Sequence, residues 1–140
     1  FEGVSYNVPL AFADTYTKAD IIVANQNGFQ DGENLPHIPE SSFSLRTVFE
    51  HASVWDNYAI MKHIGSMGDS TGYNRTGGAF SETDSLFVLD LISRYQIADN
   101  TSVYLKVENA FDDQKIISRS PDGARPNKPR TVSTGVVVNF

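Results

Sequence analysis

The stretch Ser85–Glu108 reads SLFVLDLISRYQIADNTSVYLKVE and predicts a β-hairpin. In the range Phe87–Ile97 the odd positions are mostly apolar, whereas the even positions include Asp90 and Arg94. The same alternation returns after Asp99, where valine and leucine hold the odd positions. A period of two is the signature of a strand whose two faces meet different surroundings. The stretch therefore indicates two antiparallel strands with one apolar face.

The alternation also restricts the turn around Asp99. Directly opposed residues of an antiparallel pair point to the same face, so their numbers must here add to an even value. An odd number of loop residues satisfies this condition. We predict a three-residue loop, Ala98–Asn100, in which Asn100 tolerates a left-handed backbone conformation.

The same period occurs in four other parts of the chain. It is clear in Phe43–Glu50 and Thr131–Phe140 and weaker in Tyr6–Tyr16 and Asp56–Ser66. In the last of these, Lys62 interrupts an apolar face, so the orientation of that strand is left open. No segment shows the three-and-four spacing of a helix. The sequence predicts an all-β protein, an antiparallel meander of about six strands.

The charged residues of these strands fall opposite the apolar face: Arg46, Glu50, Asp90, Arg94, Lys106 and Glu108. In a soluble β-sandwich the apolar face would form the core, burying Phe87, Leu89, Leu91, Val103, Leu105 and Val107. In a membrane barrel the apolar face meets lipid and the charges line the interior. The alternation by itself leaves both architectures open.

The connections between the strands alternate in length. Ala19–Glu40, Met67–Asp84 and Ser118–Arg130 are long, while Ser53–Trp55 and Ala98–Asn100 are short. In an antiparallel meander every second connection lies at the same end. All long connections therefore share one end, as in outer-membrane barrels, which have short turns on one side and long loops on the other.

Composition excludes several classes of function. The 140 residues carry a net charge of −6 without a basic stripe, which disfavours nucleic acid as a partner. The absence of cysteine excludes disulfides and thiolate chemistry. There is no apolar run long enough for a transmembrane helix. The first residues lack the pattern of a signal peptide, and we expect the chain to be a segment of a longer protein.

Several motifs, in order along the chain, resemble one family. They are NAFDDQ at Asn109–Gln114 and PDGARPNKPRTVSTGVVVNF at Pro121–Phe140, preceded by PLAFADTYTKADI at Pro9–Ile21 and LPHIPESSFSLRTVFEH at Leu35–His51. Together with the hairpin stretch they resemble the C-terminal part of TonB-dependent outer-membrane receptors, and most closely the ferric-dicitrate branch. Ala110 departs from the pattern, because the family usually has a larger apolar residue there.

The resemblance implies that residues 1–140 are the C-terminal portion of a barrel of about 22 strands. The plug domain and the preceding strands would lie outside this chain. It further implies TonB-dependent import of a ferric chelate, ferric citrate or another siderophore, across the outer membrane of a Gram-negative cell. Expected partners are the chelate, TonB through the plug, the barrel-assembly machinery and outer-membrane lipid. No enzymatic activity and no resident cofactor are implied, since the chelator carries the iron.

Two groups of site residues follow from the resemblance. Cations in the long loops could bind an anionic chelate, for which arginine offers a planar fork of donors: Arg75, Arg119, Arg125 and Lys128. The end of the chain resembles the signal that the barrel-assembly machinery recognises: Val136, Val138 and Phe140. The alternatives are solvated loop cations and an aromatic residue at the membrane interface.

Other candidate sites have weaker patterns. His37, His51 and His63 lack the spacing of metal ligands. Asp31–Asn34 offers oxygen ligands without a complete calcium loop. Asp112 and Asp113 form a carboxylate pair, for which hydrogen bonding at the end of a loop is the simpler explanation. A soluble β-sandwich that serves as a binding or adhesion module remains the alternative function.

Overall fold

The computed structural model describes residues 8–18, 35–51, 54–68, 82–119 and 123–140. Eight strands lie in these ranges: β1 (Leu10–Tyr16), β2 (Ser41–His51), β3 (Trp55–Ile64), β4 (Leu86–Ala98), β5 (Thr101–Glu108), β6 (Ile116–Ser118), β7 (Arg125–Pro126) and β8 (Thr131–Val138). Across those same ranges there is no helix with the length and apolar character needed to cross a membrane.

Six of the strands form one antiparallel sheet in the order β1-β2-β3-β4-β5-β8. The predicted meander is confirmed, although the first two residues of the predicted first strand, Tyr6 and Asn7, lie outside the described residues. The short strands β6 and β7 form a separate ribbon within the connection from β5 to β8. The three long connections all leave the same end of the sheet, here called the loop end, and the opposite end is called the turn end.

The register decides the orientation of β3, which the sequence left open. Ile60 lies between Arg46 of β2 and Asp90 of β4. Tyr58, Ile60 and Lys62 therefore belong to the charged face, and the interruption by Lys62 disappears. The apolar face of β3 is formed by the odd positions, which begin with Trp55.

The hairpin between β4 and β5 confirms the parity argument and corrects the loop. Tyr95 pairs with Val103, an even sum, yet Ala98 pairs with Thr101, which leaves a two-residue turn. The register shifts between Gln96 and Ala98, so a β-bulge supplies the extra residue that a three-residue loop would have supplied. Asn100 is not among the residues with positive φ, so its predicted left-handed conformation is wrong.

No hydrophobic side chain within the described ranges is buried. Of the residues that a sandwich would bury, Leu91 is 40% and Leu105 is 48% exposed, and the remaining four are half-buried. The described strands form a single layer whose apolar face has no covering sheet. This arrangement does not fit the soluble sandwich, because a sandwich needs two sheets whose inner faces interdigitate.

Candidate functional site

Aromatic side chains form a continuous row across the apolar face at the loop end. Ring centroids are 6.5 Å apart between Phe12 and Phe43, 5.2 Å between Phe43 and His63, and 6.5 Å between Phe43 and Phe87. Phe111 extends the row by stacking on Phe87 at 6.1 Å. We call these five residues the loop-end aromatic band. Such a row is typical of the level where a membrane meets water.

A second aromatic group lies on the same face at the turn end. Trp55 and Tyr95 are directly opposed on β3 and β4 and are 43% and 49% exposed. The indole Nε1 of Trp55 donates a hydrogen bond to Ser93 Oγ at 2.9 Å. Along β4 the eight-residue step from Phe87 to Tyr95 spans about 26 Å at about 3.3 Å per residue. This separation is of the order of the apolar band of about 25 Å on outer-membrane barrels.

The opposite face carries the predicted charges, and the register confirms that all six share it. Arg46 stacks over the ring of Tyr58 at 5.8 Å from its centroid. Arg94 Nε donates to Ser102 Oγ at 3.1 Å. Nearest the loop end, Glu108 accepts from Lys106 at 3.1 Å and from Lys128 at 2.9 Å. These residues thus contact neighbouring side chains, and among the six Lys106 and Glu108 form an ion pair.

Asn109 joins the ends of three strands. It is 3% exposed and its backbone is left-handed, with φ at 50°. Its Nδ2 donates to the carbonyl oxygens of Asp113 and Lys128 at 3.1 and 3.0 Å, and its Oδ1 accepts from the Asp113 N–H at 3.1 Å. Its own N–H donates to Asp90 Oδ1 at 3.0 Å. The side chain of Asn109 therefore connects the end of β5 to the segment before β8, and its backbone N–H connects it to β4.

Two further residues complete this network. Asn127 Oδ1 accepts from the Lys115 N–H at 2.8 Å, and its Nδ2 donates to the Asp113 carbonyl at 2.8 Å. Asp112 Oδ1 accepts from the Arg130 N–H at 2.8 Å. That backbone hydrogen bond, with a weaker one from Gln114, holds the pKa of Asp112 below its ordinary value of 3.8, so the carboxylate stays ionised at neutral pH. We call Asn109, Asp112 and Asn127 the clasp.

The loop bases are tied to the ribbon of β6 and β7. Asp84 and Ile116 exchange hydrogen bonds, from Asp84 N–H to the Ile116 carbonyl at 2.9 Å and from Ile116 N–H to Asp84 Oδ2 at 2.8 Å. Thr83, which is buried, hydrogen bonds to the backbone of Met67. Hydrogen bonds therefore join the described first and last residues of the long connections at the loop end.

Comparisons with known proteins agree with this geometry. No family model matches the chain. It is 30% identical over 120 residues to the catecholate siderophore receptor Fiu of Escherichia coli K12, which covers 83% of the chain and 16% of the relative. It is 26% identical over 138 residues to the metal-pseudopaline receptor CntO of Pseudomonas aeruginosa, which covers 94% of the chain and 18% of the relative.

A structural comparison gives the same result as the sequence comparison. A crystal structure of the ferric-catecholate import receptor Fiu in its closed form superposes with a TM-score of 0.79 at 25% identity, covering 95% of this chain and 19% of that one. A crystal structure of the open form superposes with a TM-score of 0.62 at 27% identity, covering 73% of this chain and 16% of that one. Over 95% of its length the chain is thus similar to a TonB-dependent receptor. It spans less than a fifth of the length of the receptors it matches.

The ferric-dicitrate branch is not confirmed. The receptors that match are named for a catecholate siderophore and for metal-pseudopaline. The barrel motifs of TonB-dependent receptors therefore identified the family and did not distinguish its branches.

The four cations predicted to bind ligand lie in different surroundings. Arg119 Nε donates to the Glu82 carbonyl at 2.8 Å, and Lys128 contacts Glu108, so both make structural contacts. Arg125 lies in the exposed strand β7, whose backbone pairs with β6. Arg75 lies outside the described residues. Chelate binding by any of the four stays a prediction.

The predicted assembly signal lies at the turn end. Val136 pairs with Val103, in the same cross-strand row as Tyr95 and Trp55, and its side chain is exposed on the apolar face. Val138 follows on the same face, and Phe140 lies exposed beyond the end of β8. The arrangement agrees with both an assembly signal and an interfacial aromatic residue, so this role stays a prediction.

No metal cluster occurs among the described residues. His63 stacks in the loop-end aromatic band, and His51 opposes Trp55 across β2 and β3. The possible calcium segment Asp31–Asn34 lies outside the described residues.

Hydrogen bonding by Asp112 at the end of a loop was predicted and is observed. The roles of Asn109 and Asn127 were missed, since Asn109 was noted only as part of a family motif. The available signal was an asparagine three and four residues before two aspartates, with a second asparagine before the last strand.

Proposed function

We propose that this chain forms the C-terminal strands of an outer-membrane barrel in a TonB-dependent receptor that imports a ferric chelate. The observation that carries the proposal is the division of one sheet into an exposed apolar face, bounded by aromatic residues at both ends, and a charged face. Exposing such a face to water costs about 25 cal/mol for each Å² of apolar surface. Lipid removes that cost.

The unpaired edges of the sheet are evidence that it belongs to a larger barrel. β1 and β8 each present one unpaired row of backbone groups within the described part of the chain. Unpaired backbone groups in lipid cost several kcal/mol each, so barrels pair every strand. Further strands on both sides would satisfy β1 and β8. The charged face would then line the barrel interior and meet a hydrated plug, through which TonB acts.

The ligand is proposed as an anionic ferric chelate. The names of the matched receptors favour a catecholate siderophore over ferric citrate. The iron enters as part of the substrate, so the receptor needs no cofactor or metal ligand of its own. The barrel-assembly machinery and outer-membrane lipid are the remaining proposed partners, and the reaction is transport without covalent chemistry.

Uptake of radioactive iron by cells tests this function. The gene for the full receptor is expressed in a Gram-negative strain that lacks its own siderophore receptors, with and without TonB. We expect the receptor in the outer-membrane fraction and TonB-dependent uptake of iron from one ferric catecholate. Uptake from ferric citrate instead would move the substrate to the carboxylate class. A receptor that is absent from the outer membrane would contradict the proposal.

Arg125 gives a prediction at the level of one residue. Arg125→Ala in the full receptor is expected to weaken chelate binding by about 3- to 10-fold, because a charge-assisted hydrogen bond to an anion is lost. Arg125→Lys keeps the charge but not the planar fork, and is expected to have an intermediate effect. Equilibrium titration of the purified receptor measures this affinity.

The control for this measurement is Arg46→Ala. It removes the same charge from the middle of the charged face, where the guanidinium stacks on Tyr58. Equal weakening by both variants would indicate a general effect of net charge. It would argue against a contact between Arg125 and the chelate.

A further inference from the structure

The apolar face contains a groove of about 370 Å³ across β2, β3, β4 and β5. It occupies two neighbouring cross-strand rows of the sheet. Its lining consists of small or polar side chains and larger apolar ones: Thr47, Asn57, Ala59 and Ser93 in the first group, Phe49, Leu91, Leu105 and Val107 in the second, together with Tyr58 and Ile92. We call this the apolar-face groove.

Three neutral polar side chains of the apolar face lie in this groove, Thr47, Asn57 and Ser93, and the last two are directly opposed on β3 and β4. Ser93 Oγ accepts the hydrogen bond from Trp55, which leaves its own hydroxyl hydrogen to donate. The Asn57 amide has no hydrogen bond within the part of the chain that the structure describes. A polar group surrounded by hydrocarbon is costly unless it finds a partner. Both groups can donate to a neutral acceptor, and no charged side chain lines the groove.

The depth of these groups limits the chemistry of that acceptor. Asn57 and Ser93 lie one row, about 7 Å along the strands, from the row that contains Trp55 and Tyr95. Tryptophan and tyrosine sit at the headgroup level of a membrane. Just inside that level, a lipid presents the ester carbonyls from which its acyl chains extend.

The size of the groove argues against a protein in it. Ten residues line the groove. Stable protein interfaces involve about 20–30 residues on each side. A single hydrocarbon chain needs no more than a narrow apolar channel, and its ester carbonyl accepts without bringing a charge.

We propose that the apolar-face groove binds one acyl chain of a glycerophospholipid, whose ester carbonyl accepts hydrogen bonds from Asn57 and Ser93. This inference rests on the proposed function, because it requires the apolar face to meet a membrane. The bound lipid would fill a depression in the wall of the barrel. It would also satisfy the amide of Asn57.

Native mass spectrometry of the full receptor in detergent tests the proposal with two probes. One is diester phosphatidylethanolamine, and the other is its diether analogue with the same chains, which lacks the carbonyls. We expect the wild-type receptor to retain the diester about fivefold more than the diether, as one hydrogen bond allows. Equal retention of the two lipids would overturn the proposal.

Two variants locate the site. Ala59→Phe places a ring among the residues that line the groove and is expected to abolish the preference for diester lipid. Val132→Phe adds the same ring at an exposed position outside the groove and should leave that preference unchanged. Asn57→Leu keeps the volume but removes the amide, and should bring the two lipids within about twofold of each other. The proposal would be overturned if Ala59→Phe kept the wild-type preference for diester over diether lipid. It would also be overturned if the wild-type receptor formed a dimer that Ala59→Phe disrupted, because a second protein would then occupy the groove.

The same preparations separate this inference from the proposed function. A wild-type receptor that binds its chelate but shows no preference for the diester contradicts the lipid site alone. A receptor that neither reaches the outer membrane nor binds a ferric chelate contradicts the proposed function. Heat-modified migration on gels shows whether each variant has folded.

Discussion

Replacing Asn109 with alanine is expected to lower the free energy of unfolding of the receptor by about 2–4 kcal/mol. Three side-chain hydrogen bonds are lost, each with a net value of about 1 kcal/mol, and two of them leave carbonyl groups without that partner. The left-handed backbone of Asn109 adds about 1 kcal/mol, because alanine tolerates that conformation poorly. Urea unfolding of the full receptor in detergent measures the change.

Two further substitutions separate the contributions at Asn109. Asn109→Gly removes the side-chain hydrogen bonds but accepts the backbone conformation, so it should be milder than alanine by about 1 kcal/mol. Asn109→Asp keeps the acceptor for the Asp113 N–H and loses both amide donors. If all three variants were as stable as the wild type, the side chain of Asn109 would have no part in joining β5 to the segment before β8.

Replacing Gly135 with valine is expected to destabilise the receptor by about 0.5–1.5 kcal/mol, the cost of displacing the Tyr104 ring from its rotamer. A Cβ atom at Gly135 would lie 2.7 Å from both Cε1 and Oη of Tyr104, which pairs with Gly135 across β5 and β8. Valine normally favours strands and glycine weakens them. The contact with Tyr104 therefore reverses the expected sign of the substitution, and unfolding in detergent measures it.

A double-mutant cycle tests the cause of this effect. Tyr104→Ala removes the ring, so Gly135→Val should cost far less in that background. Ser133→Val is the matched control, since it makes a β-branched residue on the same face of β8 two positions away. An equal loss of stability from Gly135→Val with and without the Tyr104 ring would show that the contact is not responsible.

Much of the fold was predictable because it depends on local pattern. Strand positions follow from the period of two, since each strand has a face toward a different environment. The common end of the long connections follows from antiparallel order. The even sum of residue numbers in the pair Tyr95–Val103 also follows from parity. These features need only the sequence neighbours of a residue and the geometry of a strand.

The misses have a common physical cause. Whether β3 presents Ile60 or Ala59 to the apolar face depends on its partners Arg46 and Asp90, which are remote in sequence. The bulge before Ala98 depends on twist and on pairing with β5. The ribbon of β6 and β7 is too short to show any period and is held by Asp84, far along the chain.

The candidate sites likewise include features that the sequence predicted and features that only the structure shows. Composition and motif identified the loop cations, yet the structure shows that Arg119 and Lys128 make contacts within the chain while Arg125 stands on an exposed ribbon. The apolar-face groove has no sequence signature. Its lining residues come from four strands, so neither the size nor the polarity of any one residue indicates the groove.

The sequence by itself determined the class of this protein: a meander with one apolar face, long loops at one end, and the motifs of TonB-dependent receptors. The tertiary structure alone decided which of the two faces each residue of β3 takes, how the clasp joins β4, β5 and β8, and where the groove lies. The physical reason is how far apart in sequence the residues that determine each feature lie. Alternation is set by the geometry of a single strand, whereas these features arise from the registers that align separate strands.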